Sequence, residues 1–203
     1  MRRSLIALAT VIPALFAAAA AADAPQRSLD AILGDLAAGG SIILMRHANA
    51  PEGQIASVGM TIGCDFADGR GLDAKGFFQA RFIGEYLKSR GVAIGMAYTS
   101  DSCRAYDTAR LVAAGAPVRP EPALKTTAIA EIDALKTVIT TALRNGATKN
   151  VLLVSHSNIV PLYADWGSQG EIPSGVILII DPSTWTVKEK LNFGVDMAVD
   201  GQP

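Results

Sequence analysis

The chain is poor in the residues that usually announce a function. Its 203 residues hold two cysteines and two histidines, Trp, Tyr and Phe together make up 6%, and charged residues make up 18%. So few thiols exclude a disulfide-dense scaffold and leave no Cys-x-x-Cys pair for a structural zinc site. No Lys/Arg-rich window or series of stacking aromatics appears, which argues against nucleic acid as a partner. A Walker phosphate loop, a Gly-x-Ser-x-Gly elbow and a His-Glu-x-x-His pair are missing as well. Beyond the first two dozen residues, apolar runs such as Ser174 to Ile180 are of strand length, too short to span a bilayer.

What is present begins with a segment that reads as a leader. Met1-Arg2-Arg3, an apolar run from Leu5 to Phe16 and an alanine tract before Asp23 have the layout of a secretory signal peptide, with cleavage expected after Ala22. No basic stop-transfer cluster follows and no cysteine near the cut offers a lipid anchor. The mature chain is therefore expected to be periplasmic or secreted, without stable membrane insertion. Residues 23–203 show no internal repeat and no linker, so they are expected to form a single domain. They carry sixteen Lys/Arg against nineteen Asp/Glu, a net charge of −3. In an oxidising compartment Cys64 and Cys103 are expected to pair, the alternative being two free thiols. A bridge would close a loop of about 40 residues, worth about 4 kcal/mol on the chain-entropy estimate.

The hydrophobic pattern alternates between two periods. Leu29 to Ala38 reads as an amphipathic helix closed by Gly39-Gly40, and Ser41 to Met45 as a strand covered on both faces. Residues 48–72 are turn-rich and read as a long loop. Asp73 is placed to cap a helix whose apolar face is expected to carry Phe78, Phe82, Ile83, Tyr86 and Leu87 and which stops at Gly91. A strand over Ala93 to Thr99, a helix over Asp101 to Ala114, an extended stretch over Val118 to Leu124 and a helix over Ala128 to Leu143 follow. Val151 to Ser155 is a second fully apolar strand. A short helix near Asn158 to Trp166, a strand at Val176 to Ile180 and an edge strand at Trp185 to Leu191 complete the pattern. The alternation predicts an α/β fold, a three-layer sandwich with a mostly parallel central sheet flanked by helices.

Ligands in such folds bind beyond the carboxyl ends of the strands. Both histidines stand there: His47 ends the first apolar strand and His156 the second. If those strands are neighbours, the two imidazoles converge, and Arg46 and Arg104 can join them. That combination suits a phosphoryl group, whose charge in flight is spread over oxygens that fixed guanidinium and imidazole donors stabilise. A histidine nucleophile must be neutral, and adjacent arginine charges disfavour its protonation. A zinc site built from Cys64, Cys103, His47 and His156 would have the right ligand types but scattered positions, and neither a metal nor another cofactor is expected.

Four segments then carry a resemblance. Leu44-Met45-Arg46-His47-Ala48, Leu72-Asp73-Ala74-Lys75-Gly76 with Gln79-Ala80, Tyr98 to Ala105 with Thr108-Ala109, and Val154-Ser155-His156-Ser157 resemble, in order and spacing, the histidine phosphatase (phosphoglycerate mutase-like) superfamily. Exported members with cysteines at similar places are the nearest likeness. The resemblance implies a phosphoglycerate mutase-like fold and a phosphohistidine mechanism. His47 would be the nucleophile, while Arg46, Arg104 and His156 bind the phosphoryl oxygens. Glu131 best fits the place of the proton donor, with Glu121, Glu52 and Asp65 as rivals the sequence does not separate. Ala48 and Ser157 stand where the family most often has glycine. The expected function is that of an exported phosphomonoesterase on a small-molecule or glycan phosphate, such as a lipopolysaccharide heptose phosphate. The alternatives are a non-catalytic phosphate- or phospho-glycan-binding protein and a phosphomutase.

Overall fold

A computed structural model of the chain describes residues 27–52, 70–145, 148–167 and 171–194. The expected leader over residues 1–22 lies outside them, as do Cys64, with its expected bridge to Cys103, and Asp65. In chain order the elements are α1 (Leu29–Ala38), β1 (Ile42–Arg46), α2 (Ala74–Ser89), β2 (Ile94–Thr99), α3 (Cys103–Val112) and β3 (Val118–Pro120). A 3-10 turn (Pro122–Leu124) leads to α4 (Ile129–Arg144), β4 (Asn150–Ser155), α5 (Val160–Tyr163), β5 (Val176–Ile180) and β6 (Val187–Asn192). Among the described residues the strands form one six-stranded sheet in the order β3-β2-β4-β1-β5-β6. The first four in that order run parallel, and β5 and β6 complete the sheet antiparallel. This is the three-layer α/β sandwich expected of the alternating pattern.

The unbroken apolar runs have a simple cause. On β1, Ile43 and Met45 enter a core shared with α1, α2 and α3, while Ile42 and Leu44 enter the core shared with α4 and α5. Leu152 and Val154 of β4, and Ile177 and Ile179 of β5, face the first core; Val151, Leu153, Leu178 and Ile180 face the second. A strand buried on both faces needs no polar alternation. Truncating one of the isoleucine, leucine or methionine side chains among these to alanine costs about 2–5 kcal/mol.

Caps fix the helix entries. The Ser28 hydroxyl accepts from the Ala31 N–H at 3.2 Å, and the Asp73 carboxylate accepts from the Gly76 N–H at 2.7 Å. The expected aromatic face of α2 requires a correction. Phe78 is 55% exposed, Phe82 and Tyr86 are only partly buried, and the buried stripe is Gly76, Gln79, Ala80, Ile83, Gly84 and Leu87. Small residues win that face because α2 lies close against its neighbours: a Cβ at Gly84 would collide with the Leu111 carbonyl of α3. On α4 the buried side chains are Ile132, Leu135 and Ile139. Among the described residues no helix is long and apolar enough to cross a membrane.

Candidate active site

The parallel pairing of β1 with β4 sets Arg46 opposite Ser155, so the two strands end level. The next residue on each is a histidine, and the His47 N–H extends the ladder by donating to the Ser155 carbonyl at 2.9 Å. Both side chains are buried, and their ring centroids lie 5.4 Å apart at 65°. The convergence expected from two strand ends is thus present.

Hydrogen bonding fixes the His47 tautomer. Its Nδ1 lies 2.7 Å from the Ala48 carbonyl, which can only accept, so Nδ1 carries the proton. Its Nε2 accepts from Arg104 Nε at 3.2 Å and therefore presents a lone pair. Burial holds the imidazole well below its ordinary pKa, reinforced by the neighbouring His156, Arg104 and Arg46, while the bond to Ala48 opposes the shift. His47 stays neutral at acidities where a free histidine would be charged. Because the folded form resists the proton that the unfolded chain accepts, this group costs stability increasingly as pH falls below about 6.5.

Arg104 also reaches the second imidazole, with Nη2 3.4 Å from His156 Nδ1. A guanidinium only donates, so the proton on His156 sits on Nε2 and is donated to the Ser100 hydroxyl at 2.8 Å. One arginine at the start of α3 therefore orients both histidines. Arg46 faces the same crevice differently. Its Nη1 donates to the Ile172 carbonyl at 2.7 Å and pairs with Glu171 at 2.9 Å. Burial pushes its guanidinium below the ordinary range, and Glu171 acts against that shift, while the charges of Arg70 and Arg104 add to it. Arg70 thus belongs to the same positive cluster, and its carbonyl accepts the Arg104 N–H at 3.2 Å.

A buried polar frame holds the His47 loop. Thr108 Oγ1 accepts from the Ala48 N–H at 3.0 Å and donates to the Arg104 carbonyl at 2.7 Å, linking the nucleophile loop to α3. Gln79 accepts from the Asn49 N–H at 3.0 Å and donates to the carbonyls of Ser174 at 3.2 Å and Phe193 at 2.7 Å. Gly175, at φ 84°, has no Cβ because one would strike Gln79. Ala48 is fully buried in the core, so the methyl in place of glycine is accommodated. The sequence reading gave Gln79, Thr108 and Ser100 no role and missed Arg70 and Glu171 altogether. A polar residue on the buried side of an amphipathic helix was the available signal for the first two.

The structure brings together Arg46, His47, Arg104 and His156. Glu131 stands apart from their hydrogen-bond network: it is exposed in the first turn of α4 and lines a groove of about 350 Å³ with Glu121, Pro122, Ala134 and Val138. Glu52 lies 3.9 Å from Arg70. Among the described residues no group of three or more His, Cys, Asp or Glu side chains is placed to hold a metal ion.

Paired histidines and arginines at the carboxyl end of a doubly covered, mostly parallel sheet form a donor set that suits a phosphoryl group. The model of the histidine phosphatase superfamily, branch 1, matches residues 42–145, and the chain belongs to that superfamily. Its fold is similar to that of the protein histidine phosphatase SixA complexed with tungstate, at 18% identity and TM-score 0.54, covering 75% of this chain and 96% of that one. Two proteins described as phosphohistidine phosphatase SixA are similar too. The one from Nakamurella multipartitia has 19% identity, TM-score 0.53 and coverage of 75% and 95%. The one from Agrobacterium tumefaciens has 18% identity, TM-score 0.51 and coverage of 74% and 97%. No curated protein matches the chain.

Proposed function

We propose that the chain hydrolyses phosphate esters through a phosphohistidine on His47. The observation that carries this is the fixed tautomer: the lone pair of Nε2 points at a guanidinium, where an anion would be held. In the proposed cycle Arg46 and Arg104 bind phosphoryl oxygens beside His156. The Nε2 lone pair forms the P–N bond as the P–O ester bond breaks, and the alcohol leaves with a proton from an acid or from water. Water then attacks phosphorus, the P–N bond breaks, orthophosphate departs and His47 returns neutral.

Glu131 remains the proposed donor for alcohol leaving groups. Its exposed place in the Glu121 groove favours a second reading, in which substrates with good leaving groups react without a placed acid. Phosphoramidates are such substrates, as are aryl phosphates. We also propose that residues 1–22 direct export to the periplasm or beyond, and that Cys64 pairs with Cys103 there. Cys103 is buried beside Arg104, where such a bridge would anchor the 48–72 loop. Envelope sugar phosphates, lipopolysaccharide heptose phosphate among them, are the esters such an enzyme would meet.

The test is phosphate release from an aryl phosphate by the mature protein with a chelator present. We expect turnover that His47→Ala lowers by a factor of at least about 10³. Wild-type protein that binds phosphate without turnover, on aryl phosphate and phosphoramidate alike, would instead indicate a binding protein.

A further inference from the structure

At the edge of the phosphoryl pocket lies an ion pair that the proposed cycle does not use. Arg46 Nη1 is shared between the Ile172 carbonyl at 2.7 Å and Glu171 Oε1 at 2.9 Å. The arginine side chain is 19% exposed and the glutamate 67%. The guanidinium is therefore the fixed member of the pair, and the carboxylate is the one with room to leave. Arg46 Nε is buried and donates to nothing among the described residues, so the arginine is only partly used while Glu171 occupies Nη1. Glu52 stands in the same relation to Arg70, more loosely and almost fully exposed. The floor of the pocket is basic and its rim is acidic.

A phosphoryl dianion over His47 needs Arg46, and it brings two negative charges against the same guanidinium that Glu171 holds. Like charges at that separation repel, and a displaced carboxylate at the rim is left without its cation. A substrate that carries a positive group of its own offers that carboxylate a new partner. We propose that Glu171 determines specificity: it favours phosphoryl compounds with an ammonium or guanidinium a few bonds from phosphorus, which replaces Arg46 as the partner of the carboxylate. The inference rests on reading the pocket as a phosphoryl site and adds the chemistry of the group next to the phosphate.

The test measures binding without turnover. Orthophosphate, propyl phosphate and phosphoethanolamine are titrated calorimetrically into His47→Ala protein, with Glu171 intact or changed to Gln. With Glu171 intact, phosphoethanolamine binds about two- to fivefold more tightly than propyl phosphate, the range expected of one largely exposed charge pair. Glu171→Gln abolishes that preference, chiefly by tightening orthophosphate and propyl phosphate. Binding of all three ligands with an unchanged ratio overturns the role of Glu171 alone. Absence of binding by any of the three overturns the phosphoryl-pocket reading, and this inference with it.

Discussion

At the N-terminal end of β4, Asn150 is fully buried, and its side chain accepts from the Ser41 N–H and donates to the carbonyls of Leu36 and Ala93. At the other end of the same strand His156 is also buried, yet its Nδ1 meets a guanidinium at a loose 3.4 Å, and next to it His47 keeps an Nε2 lone pair against Arg104. The first amide is saturated by backbone groups from three segments and ties them together. Each imidazole spends one nitrogen on the protein frame, the Ala48 carbonyl for His47 and the hydroxyls of Ser100 and Ser102 for His156, and turns the other toward Arg104. Buried polarity that serves the fold is used up, while buried polarity that serves chemistry keeps capacity in reserve.

Substitutions at the two ends should therefore separate activity from stability. The largest effect is expected from Arg104→Ala, which removes the donor shared by both histidines: kcat should fall about 10²- to 10³-fold, some 3–4 kcal/mol, with little change in melting temperature. An activity loss that merely tracks unfolding would erase the distinction. Next comes Asn150→Ala, which leaves the Ser41 N–H unbonded and takes a second donor from the carbonyls of Leu36 and Ala93. Denaturant unfolding should show a loss of about 2–4 kcal/mol, with kcat per folded molecule unchanged.

Asp107 sharpens the comparison because it fits neither class. It is buried on α3, its Oδ2 has no hydrogen-bond partner among the described residues, and Arg110 lies 3.9 Å from the other oxygen. Burial lifts its carboxyl to about 6, against the opposing charge of Arg110. A raised carboxyl pKa means the folded state prefers the proton. Stability from this group is present below the unfolded value near 4 and is lost as pH rises through about 6. Asp107→Asn should accordingly match wild type at pH 4 and exceed it by about 1–3 kcal/mol at pH 7 in paired unfolding curves. A constant difference across that range would mean the carboxyl is not perturbed.

Much of this was legible in the residues. Ile42 to Met45 and Val151 to Ser155 carry no polar alternation, which marks strands buried on both faces, and a histidine directly after each marks the end where ligands bind. Asp73 announced α2 because a carboxylate three residues before Gly76 meets an otherwise unbonded N–H. Phe78 misled because aromatic spacing reports a helix face without reporting how near the next helix comes, and on α2 glycine and alanine set that distance. Glu171 and Arg70 carried no signal at all. Each lies in irregular chain, and its partner is far away in sequence, so only the folded backbone brings Glu171 to Arg46, 125 positions earlier in the chain. The placement of Glu131 was unreadable for the same reason: a helix first turn says nothing of which crevice it borders.

Gln79 gives the site a history as well as a shape. Its one amide joins Asn49, two residues after the nucleophile, to Ser174 and Phe193, which come from the last stretch of described chain. During synthesis the loop bearing His47 emerges early and can meet Gln79 and Thr108 soon after, but until β5 and β6 have been made Gln79 lacks both of the carbonyls that hold its own amide. The contacts that fix it are among the most distant in the sequence, and contacts of that kind form late. A partly made chain would thus carry both arginines and the first histidine without the clamp that holds them in place, and competence for phosphoryl transfer would arrive only with the final strands.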